Sequence, residues 1–94
     1  MDDAANTSMI VDGNCLAGMM GDLFGADVTA LVAVCAGCGT EARVAEAVVE
    51  LDSHAAIVRC RSCTRTLFTL LRGQDGARFV VGVLGEIRAD GGPR

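Results

Sequence analysis

Four cysteines form two Cys-x-x-Cys pairs, Cys35 with Cys38 and Cys60 with Cys63, and 21 residues separate the pairs. Two cysteines three positions apart on a tight turn can direct both sulfurs at one ion, and a second such turn completes a tetrahedron. The spacing therefore predicts that Cys35, Cys38, Cys60 and Cys63 are the ligands of one metal ion. We call these four residues the cysteine cluster.

The ligand set also limits what the predicted metal can do. A tetrahedral site of four sulfurs accepts zinc or iron. With all four positions filled by thiolates, no position is left for water or substrate, which is typical of a structural site rather than a hydrolytic one. We therefore predict one structural Zn²⁺ and no enzymatic activity.

Iron is the alternative metal, and it would make the protein a rubredoxin-like electron carrier. Rubredoxins usually have a glycine after each second cysteine and a core rich in aromatic residues. Gly39 fits that pattern, but Thr64 does not, and aromatic residues are only 3% of the chain. A redox-active dithiol pair is a third alternative, because Cys-x-x-Cys also permits it.

The remaining cysteine and the only histidine, Cys15 and His54, are not needed to complete the site. Cys15 lies on a predicted apolar helix stripe, so we expect a buried, inert thiol, with a reactive thiol as the alternative. His54 lies in a predicted turn, so we expect an exposed loop residue, with a replacement metal ligand as the alternative. The sequence shows no Ser/His/Asp set and no phosphate-binding glycine loop.

Length and composition explain why a metal is needed. The 94 residues fit one domain, 51% of them are hydrophobic, and Trp and Tyr are absent. A domain this small buries a modest fraction of its surface and is marginal without a further cross-link, such as a structural metal. The acidic start, Met1 to Asp3, does not resemble a signal peptide, and no apolar run reaches the roughly 20 residues that span a bilayer. We therefore predict a cytoplasmic protein that does not bind membranes.

Charge is distributed unevenly around a formal net charge of −4. Residues 1–57 contain nine acids and one Arg, whereas residues 58–94 contain seven Arg and three acids. This is either a solvated surface whose two ends attract each other or a basic face for an acidic partner. Nucleic acid or the ribosome is a possible partner, through Arg59, Arg61, Arg65 and Arg72. The scarcity of stacking aromatics and the acidic net charge count against it.

The periodicity of the chain predicts one helix and several strands. Residues 12–25 predict a helix capped by Asp12 or Asn14, whose apolar stripe includes Leu16 and Met20. This helix either packs on the sheet or binds a protein partner. The predicted strands are 28–34, 43–51, 55–59, 66–72 and 78–84, of which 43–51 also fits a helix, and Gly73 to Gly76 is predicted as a hairpin loop.

Together these elements predict an α+β fold, in which the N-terminal helix packs on a small antiparallel zinc-ribbon (rubredoxin-like) β-sheet. The predicted domain spans residues 11–88, between flexible tails at 1–10 and 89–94. Met9 is an alternative translation start.

The run Asp12-Gly13-Asn14-Cys15-Leu16-Ala17-Gly18 resembles a family motif, DGN-x-LAG. With Phe24, residues 27–29, the Cys-x-x-Cys-Gly at 35–39 and the second Cys-x-x-Cys, it is similar to a small actinobacterial family of unknown function. Members of that family are short zinc-ribbon-like proteins. The resemblance covers residues 10–88 and implies a bacterial cytoplasmic zinc protein, without supplying an activity. It departs from the family at Cys15, where alanine is usual, and at Thr64, where glycine is often found.

The predicted function is that of a non-enzymatic protein-interaction module with a structural zinc bound by four cysteines, which binds its partner through the N-terminal helix. A nucleic-acid- or ribosome-associated zinc factor and a rubredoxin-like iron protein are the alternatives.

Overall fold

The computed structural model describes residues 9–25, 27–74 and 76–89. Within these residues the chain forms eight strands, one α-helix and two short 3₁₀ turns. In chain order they are β1 (Met9–Asp12), the first 3₁₀ turn (Gly13–Cys15), α1 (Leu16–Phe24), β2 (Val32–Cys35), β3 (Glu41–Arg43), the second 3₁₀ turn (Val44–Glu46), β4 (Val48–Leu51), β5 (Ala55–Arg59), β6 (Thr66–Gly73), β7 (Gly76–Val81) and β8 (Leu84–Arg88).

The strands form two antiparallel sheets, one in the order β1-β4-β5-β6-β7 and the other in the order β3-β2-β8. The predicted α+β fold, with a helix packed on one small zinc-ribbon sheet, is therefore wrong. The described structure is mostly β, and its helix has only nine residues. Each cysteine pair does join two neighbouring antiparallel strands. The prediction failed because β2 also pairs with β8, and this pairing places the first cysteine pair on a separate sheet.

The chain passes from one sheet to the other between β7 and β8 without a separate loop. The N–H of Gly82 donates to the Leu67 carbonyl at 2.8 Å, and that of Val83 donates to the Thr66 carbonyl at 2.9 Å. A β-carbon on Gly82 would lie 3.0 Å from the Leu67 carbonyl oxygen and closer still to that of Thr66. The predicted strand 78–84 is therefore divided at a glycine that the close backbone contact requires.

The predicted helix over 12–25 begins later than expected. Asp12 has extended backbone angles (φ −95°, ψ 176°), belongs to β1, and accepts from the Asn14 N–H at 3.0 Å. It therefore caps the first 3₁₀ turn rather than α1. At the other end, Gly25 adopts a left-handed conformation (φ 74°) and its N–H donates to the Gly21 carbonyl at 2.7 Å, so this glycine caps α1 and ends it where the predicted helix ends.

The other predicted strands agree with the structure to different degrees. β5 and β6 agree with the predicted strands 55–59 and 66–72, to within one residue. The predicted strand 28–34 contributes only its end to β2, because Val28 to Leu31 forms a turn. The ambiguous segment 43–51 holds neither one helix nor one strand, since the second 3₁₀ turn interrupts it.

Side chains from both sheets and from α1 share one core. Its buried members are Leu16, Met20, Val28, Ala33, Cys35, Val44, Ala47, Val49, Ala56, Val58, Cys60, Leu67, Phe68 and Leu70. Phe79 stacks on Phe68 with a centroid distance of 4.7 Å and meets Phe24 edge to face at 5.6 Å. Because Leu16 and Met20 are fully buried, the apolar stripe of α1 is largely used inside the domain.

Most of the two predicted tails, residues 1–8 and 90–94, lie outside the described residues, and the domain limits stay a prediction. Met9 and Ile10, which were assigned to the first tail, belong to β1 and pair with β4. In the described chain, α1 is too short to cross a bilayer, and no other helix could.

Candidate metal centre

The first knuckle, residues 35–40, connects β2 to β3. The N–H of Gly39 donates to the Cys35 carbonyl at 2.7 Å, and the N–H of Cys35 donates to the Thr40 carbonyl at 2.9 Å. Gly39 has φ 82°, a conformation in which glycine avoids the steric cost of a β-carbon. Of the two glycines in this knuckle, Gly39 has the positive φ and Gly37 does not.

The second knuckle, residues 60–65, connects β5 to β6 and repeats the same hydrogen bonds. The N–H of Thr64 donates to the Cys60 carbonyl at 3.0 Å, and the N–H of Cys60 donates to the Arg65 carbonyl at 2.9 Å. Thr64 stands at the position equivalent to Gly39 and has φ 65°, the only positive φ of a non-glycine residue in the described chain. A β-branched residue in this region carries a strain of about 1–2 kcal/mol. The second knuckle is therefore the less relaxed copy, as the sequence predicts.

The two knuckles bring the four sulfurs together from different sheets. All four Sγ atoms lie within 4.8 Å of one another. The Sγ atoms of Cys35 and Cys63 are 3.6 Å apart, as are those of Cys38 and Cys60. A tetrahedron with Zn–S bonds near 2.3 Å has sulfur separations of about 3.8 Å, whereas a disulfide bond is about 2.05 Å long. The cysteine cluster can therefore hold one metal ion, and all of its cysteines are free thiols.

Burial divides the cluster into an inner and an outer pair. Cys35 and Cys60 are buried in the core, Cys63 is half-buried, and Cys38 is exposed. The inner pair occupies the start of each knuckle, since Cys35 is the last residue of β2 and Cys60 directly follows β5. A bound ion would therefore lie at the rim of the core, where its ligands are fixed by packing on one side and face solvent on the other.

Hydrogen bonds favour the charged form of some of these thiols. The Thr40 hydroxyl, whose oxygen lies 3.1 Å from Cys38 Sγ, and the Thr40 backbone N–H lower the pKa of Cys38 to about 6. Burial raises the pKa of Cys60, but the N–H groups of Cys63 and Ser62, the latter 3.4 Å from the sulfur, bring it below the usual value. Such donors stabilise thiolates in the form that binds metal.

The proximity of the four sulfurs has the opposite effect on Cys63 and raises its pKa. A backbone hydrogen bond at Arg65 lowers the pKa of Cys63, but burial and the three neighbouring sulfurs outweigh it and raise the pKa to about 11. Without a cation, four adjacent thiols cannot all ionise, because each negative charge raises the pKa of the next. The cluster therefore supplies ligands that a divalent cation would deprotonate fully.

A cation from the second knuckle reaches across to the first. A β-carbon on Gly37 would lie 2.6 Å from a guanidinium nitrogen of Arg65 and 2.9 Å from its Cδ. The Arg65 side chain therefore lies directly against Gly37, the residue that precedes Cys38 in the first knuckle. Four thiolates with one divalent ion carry a net charge of −2, so this guanidinium is placed to offset part of it. Sequence reasoning missed this role of Arg65 and that of Thr40, although both occupy the final position of a knuckle.

Two of the predicted basic residues are engaged in ion pairs. Arg59 contacts Glu50 at 2.8 Å, and Arg61 contacts Glu46 at 2.5 Å. Arg72 is exposed at the end of β6. The proposed basic surface is therefore partly neutralised by carboxylates of the acidic half of the chain.

Cys15 and His54 both lie outside the cluster. Cys15 ends the first 3₁₀ turn, half-buried, and burial together with the Asp12 carboxylate raises its pKa. His54 is exposed in the β4–β5 turn, where its Nδ1 lies 3.0 Å from the Ser53 hydroxyl. Asp52 holds this turn by accepting from the backbone N–H of His54 at 2.8 Å. His54 is therefore the exposed turn residue that was expected, whereas Cys15 is only half-buried and lies before α1 rather than on its apolar stripe.

Comparison with known proteins gives one match. Residues 4–91 match the model of a family described as a family of unknown function (DUF6510). No curated protein and no solved structure matches the chain significantly. The match agrees with the resemblance to an uncharacterised family that the motifs suggest. Since it spans nearly the whole chain, this protein belongs to the DUF6510 family of unknown function.

Proposed function

We propose that this protein is a small zinc-binding protein without catalytic activity, which acts by binding another protein. The observation that carries the zinc proposal is the convergence of four free thiols, within 4.8 Å of one another, from knuckles on two different sheets. In this proposal one Zn²⁺ is structural and holds the three-stranded sheet against the five-stranded sheet.

The ligand set favours zinc in a structural role. Four thiolates fill a tetrahedral coordination shell, so the ion has no free position for water or substrate. The exposure of Cys38 allows the ion to enter from solvent, and Arg65 offsets the negative charge of the filled site. Iron fits the same geometry, and the metal analysis below separates the two ions.

The proposed protein partner binds at the C-terminal end of α1. Leu16 and Met20 are buried, so the large apolar side chain that the helix offers a partner is Phe24 at its end, which is 51% exposed. Phe24 borders an open groove of about 330 Å³, which is lined by apolar side chains and extends to Leu84 and Ile87 of β8. Such a surface offers hydrophobic contact rather than acid–base chemistry.

Nucleic acid is the weaker proposal. Of the four arginines that would make the contact, Arg59 and Arg61 already pair with carboxylates. Binding would have to break those pairs or rely on Arg65 and Arg72. If nucleic acid were the partner, affinity would fall steeply with salt, and replacing Arg65 and Arg72 would reduce that dependence.

Metal analysis tests the zinc proposal. Protein purified without added metal is expected to contain one zinc per chain, measured by inductively coupled plasma mass spectrometry. Cys38→Ser should lose the metal, whereas Cys15→Ser, the matched control outside the cluster, should retain it. Iron accompanied by visible absorption, or equal metal content in both variants, would contradict the proposal.

A co-purification experiment tests the partner proposal. Tagged protein from the native host should retain a defined protein, and Phe24→Lys should lose it. Ala17→Lys, an exposed position earlier on α1, is the matched control and should retain it. Equal recovery with both variants would place the contact elsewhere.

A further inference from the structure

The edges of the two sheets differ in how well they are protected against pairing. Exposed edges are usually blocked by charged residues, because their free N–H and C=O groups can pair with another chain. The edge strand β3 has Glu41 and Arg43, and the edge strand β8 has Glu86 and Arg88. By contrast, the edge strand β7 has a single charged residue, Arg78, followed by the uncharged run Phe79-Val80-Val81.

The hydrogen-bond pattern shows which backbone groups of β7 have no partner among the described residues. Along an antiparallel pair of strands, opposed residues alternate. In one pair the two residues exchange N–H···O=C hydrogen bonds, and in the next pair their N–H and C=O groups point away from the partner strand. Gly82 donates to Leu67, its opposite residue on β6, and the two glycines that close the hairpin also form a bonded pair. By alternation, the N–H and C=O groups of Ala77, Phe79 and Val81 point away from β6, toward the open edge.

The side chains along this edge are apolar and exposed. Val81 is 61% exposed and Val80 is 46% exposed. Phe79 lies on the inner face of the sheet, against the half-exposed Phe24. An apolar edge with unpaired backbone groups is a site for strand addition.

We propose that β7 pairs with β7 of a second copy of this chain, antiparallel, around a two-fold axis through Phe79. In this register Phe79 exchanges hydrogen bonds with the partner's Phe79, and Ala77 does so with the partner's Val81. It is the register in which all three outward-facing residues of each copy find a partner. The two five-stranded sheets become one continuous sheet.

The charged side chain of β7, Arg78, does not prevent two copies of β7 from pairing in this register. Arg78 lies opposite the partner's Val80, so the two Arg78 side chains are diagonal neighbours rather than directly opposed. Arg78 makes no ion pair with any other described residue, and its aliphatic stem can cover the exposed valine. The edge is therefore self-complementary in hydrogen bonds and hydrophobicity, and its one charge does not directly oppose its copy.

The opposite edge of this sheet, β1, is the competing surface. Met9 and Ile10 are 56% and 69% exposed. Pairing β1 of one copy with β7 of another would be head-to-tail and would lead to open chains rather than a closed dimer. β7 also has six residues against four for β1, so a two-fold pair on β7 forms more hydrogen bonds.

The experiment uses charge at the position that faces Arg78. In sedimentation equilibrium over a roughly hundredfold range of concentration, the zinc-loaded chain should rise from its monomer mass of 9.7 kDa toward twice that value. Val80→Lys places a like charge opposite the partner's Arg78 and should weaken the dimer roughly tenfold. Val80→Glu places an opposite charge there and should strengthen it. Ile10→Lys, on the other edge, is the matched control and should leave the dimer unchanged.

Each of these measurements either supports the proposed β7 dimer or overturns it. Val80 is half-exposed, so the variants should keep the circular dichroism spectrum and metal content of the wild type. Amide hydrogen exchange should slow at Ala77, Phe79 and Val81 as the wild-type concentration rises. A monomer throughout, equal effects of Val80→Lys and Val80→Glu, or dissociation by Ile10→Lys instead would overturn it. None of these outcomes alters the zinc stoichiometry, so this inference fails or holds independently of the proposed zinc site.

Discussion

Gly13 allows a direct test of how the two 3₁₀ turns pack. It is buried, and a β-carbon at this position would lie 2.7 Å from the carbonyl carbon of Val44, 3.0 Å from Cα of Ala45, and closer still to the Val44 carbonyl oxygen. Carbon atoms in contact are normally about 3.5–4.0 Å apart, so Gly13→Ala must separate the turns by about 1 Å. Overpacking of this kind costs about 1–3 kcal/mol, and we expect the upper half of that range because backbone lies on both sides.

Gly18→Ala is the matched control. It is the same chemical change on the exposed face of α1, where a β-carbon would meet nothing within 4 Å. Replacing a helical glycine with alanine should raise the free energy of unfolding by about 0.5–1 kcal/mol. The two substitutions are therefore expected to change stability in opposite directions.

Urea denaturation of the zinc-loaded protein, followed by circular dichroism, measures both effects. The free energy of unfolding is extrapolated to water, and the slopes are compared to confirm that the same surface unfolds. A Gly13→Ala protein as stable as the wild type would refute the packing argument. A shift in the same direction for both variants would show that general helix or backbone effects dominate instead.

Three further predictions concern the knuckles, the remaining cysteine and the metal. Thr64→Gly should stabilise the protein by about 0.5–1 kcal/mol because it relieves the positive φ, and Gly39→Thr should destabilise it by about 1–2 kcal/mol; unchanged urea midpoints would contradict both. Because burial and Asp12 raise the pKa of Cys15, its alkylation by iodoacetamide should accelerate only at a pH above that of a free cysteine, and Asp12→Asn should move the rate profile to lower pH. A rate profile like that of free cysteine would refute this burial argument. Chelation should abolish the cooperative thermal transition, since structural zinc contributes about 10 kcal/mol or more in small domains, and added zinc should restore it; identical melting with and without chelator would refute a structural metal.

The cysteine cluster was predictable because the spacing that defines each knuckle involves only residues close together in the sequence. Cys-x-x-Cys spacing fixes the shape of a knuckle over six residues, and Gly39 marks the residue that needs a positive φ. The convergence of two such turns follows from their chemistry rather than from the rest of the fold. Arg65 was less predictable, since its contact with Gly37 depends on how the two knuckles face each other.

The sheet arrangement was not predictable because it depends on distant pairing. Nothing in the sequence of β8 indicates that it pairs with β2 across some 50 residues, and its Gly85 and Glu86 break the expected apolar alternation. The DGN-x-LAG motif was interpreted as a helix start or a contact surface. Asp12 instead caps a 3₁₀ turn and Gly13 permits close backbone contact, because the second 3₁₀ turn lies directly against it.

The placement of one knuckle on each sheet has a consequence for how the protein opens. The three-stranded sheet has strands of only three to five residues, whereas the five-stranded sheet contains the long pair β6 and β7. Proteins open in parts, and parts with few long-range hydrogen bonds open first. Loss of the ion removes the tie that spans the two sheets, so the smaller one should become the first unit to open. Each transient loss of the ion would then expose β2 and β8 first, and the amides of β5 and β6 would exchange only when the whole domain unfolds, as it should on full chelation.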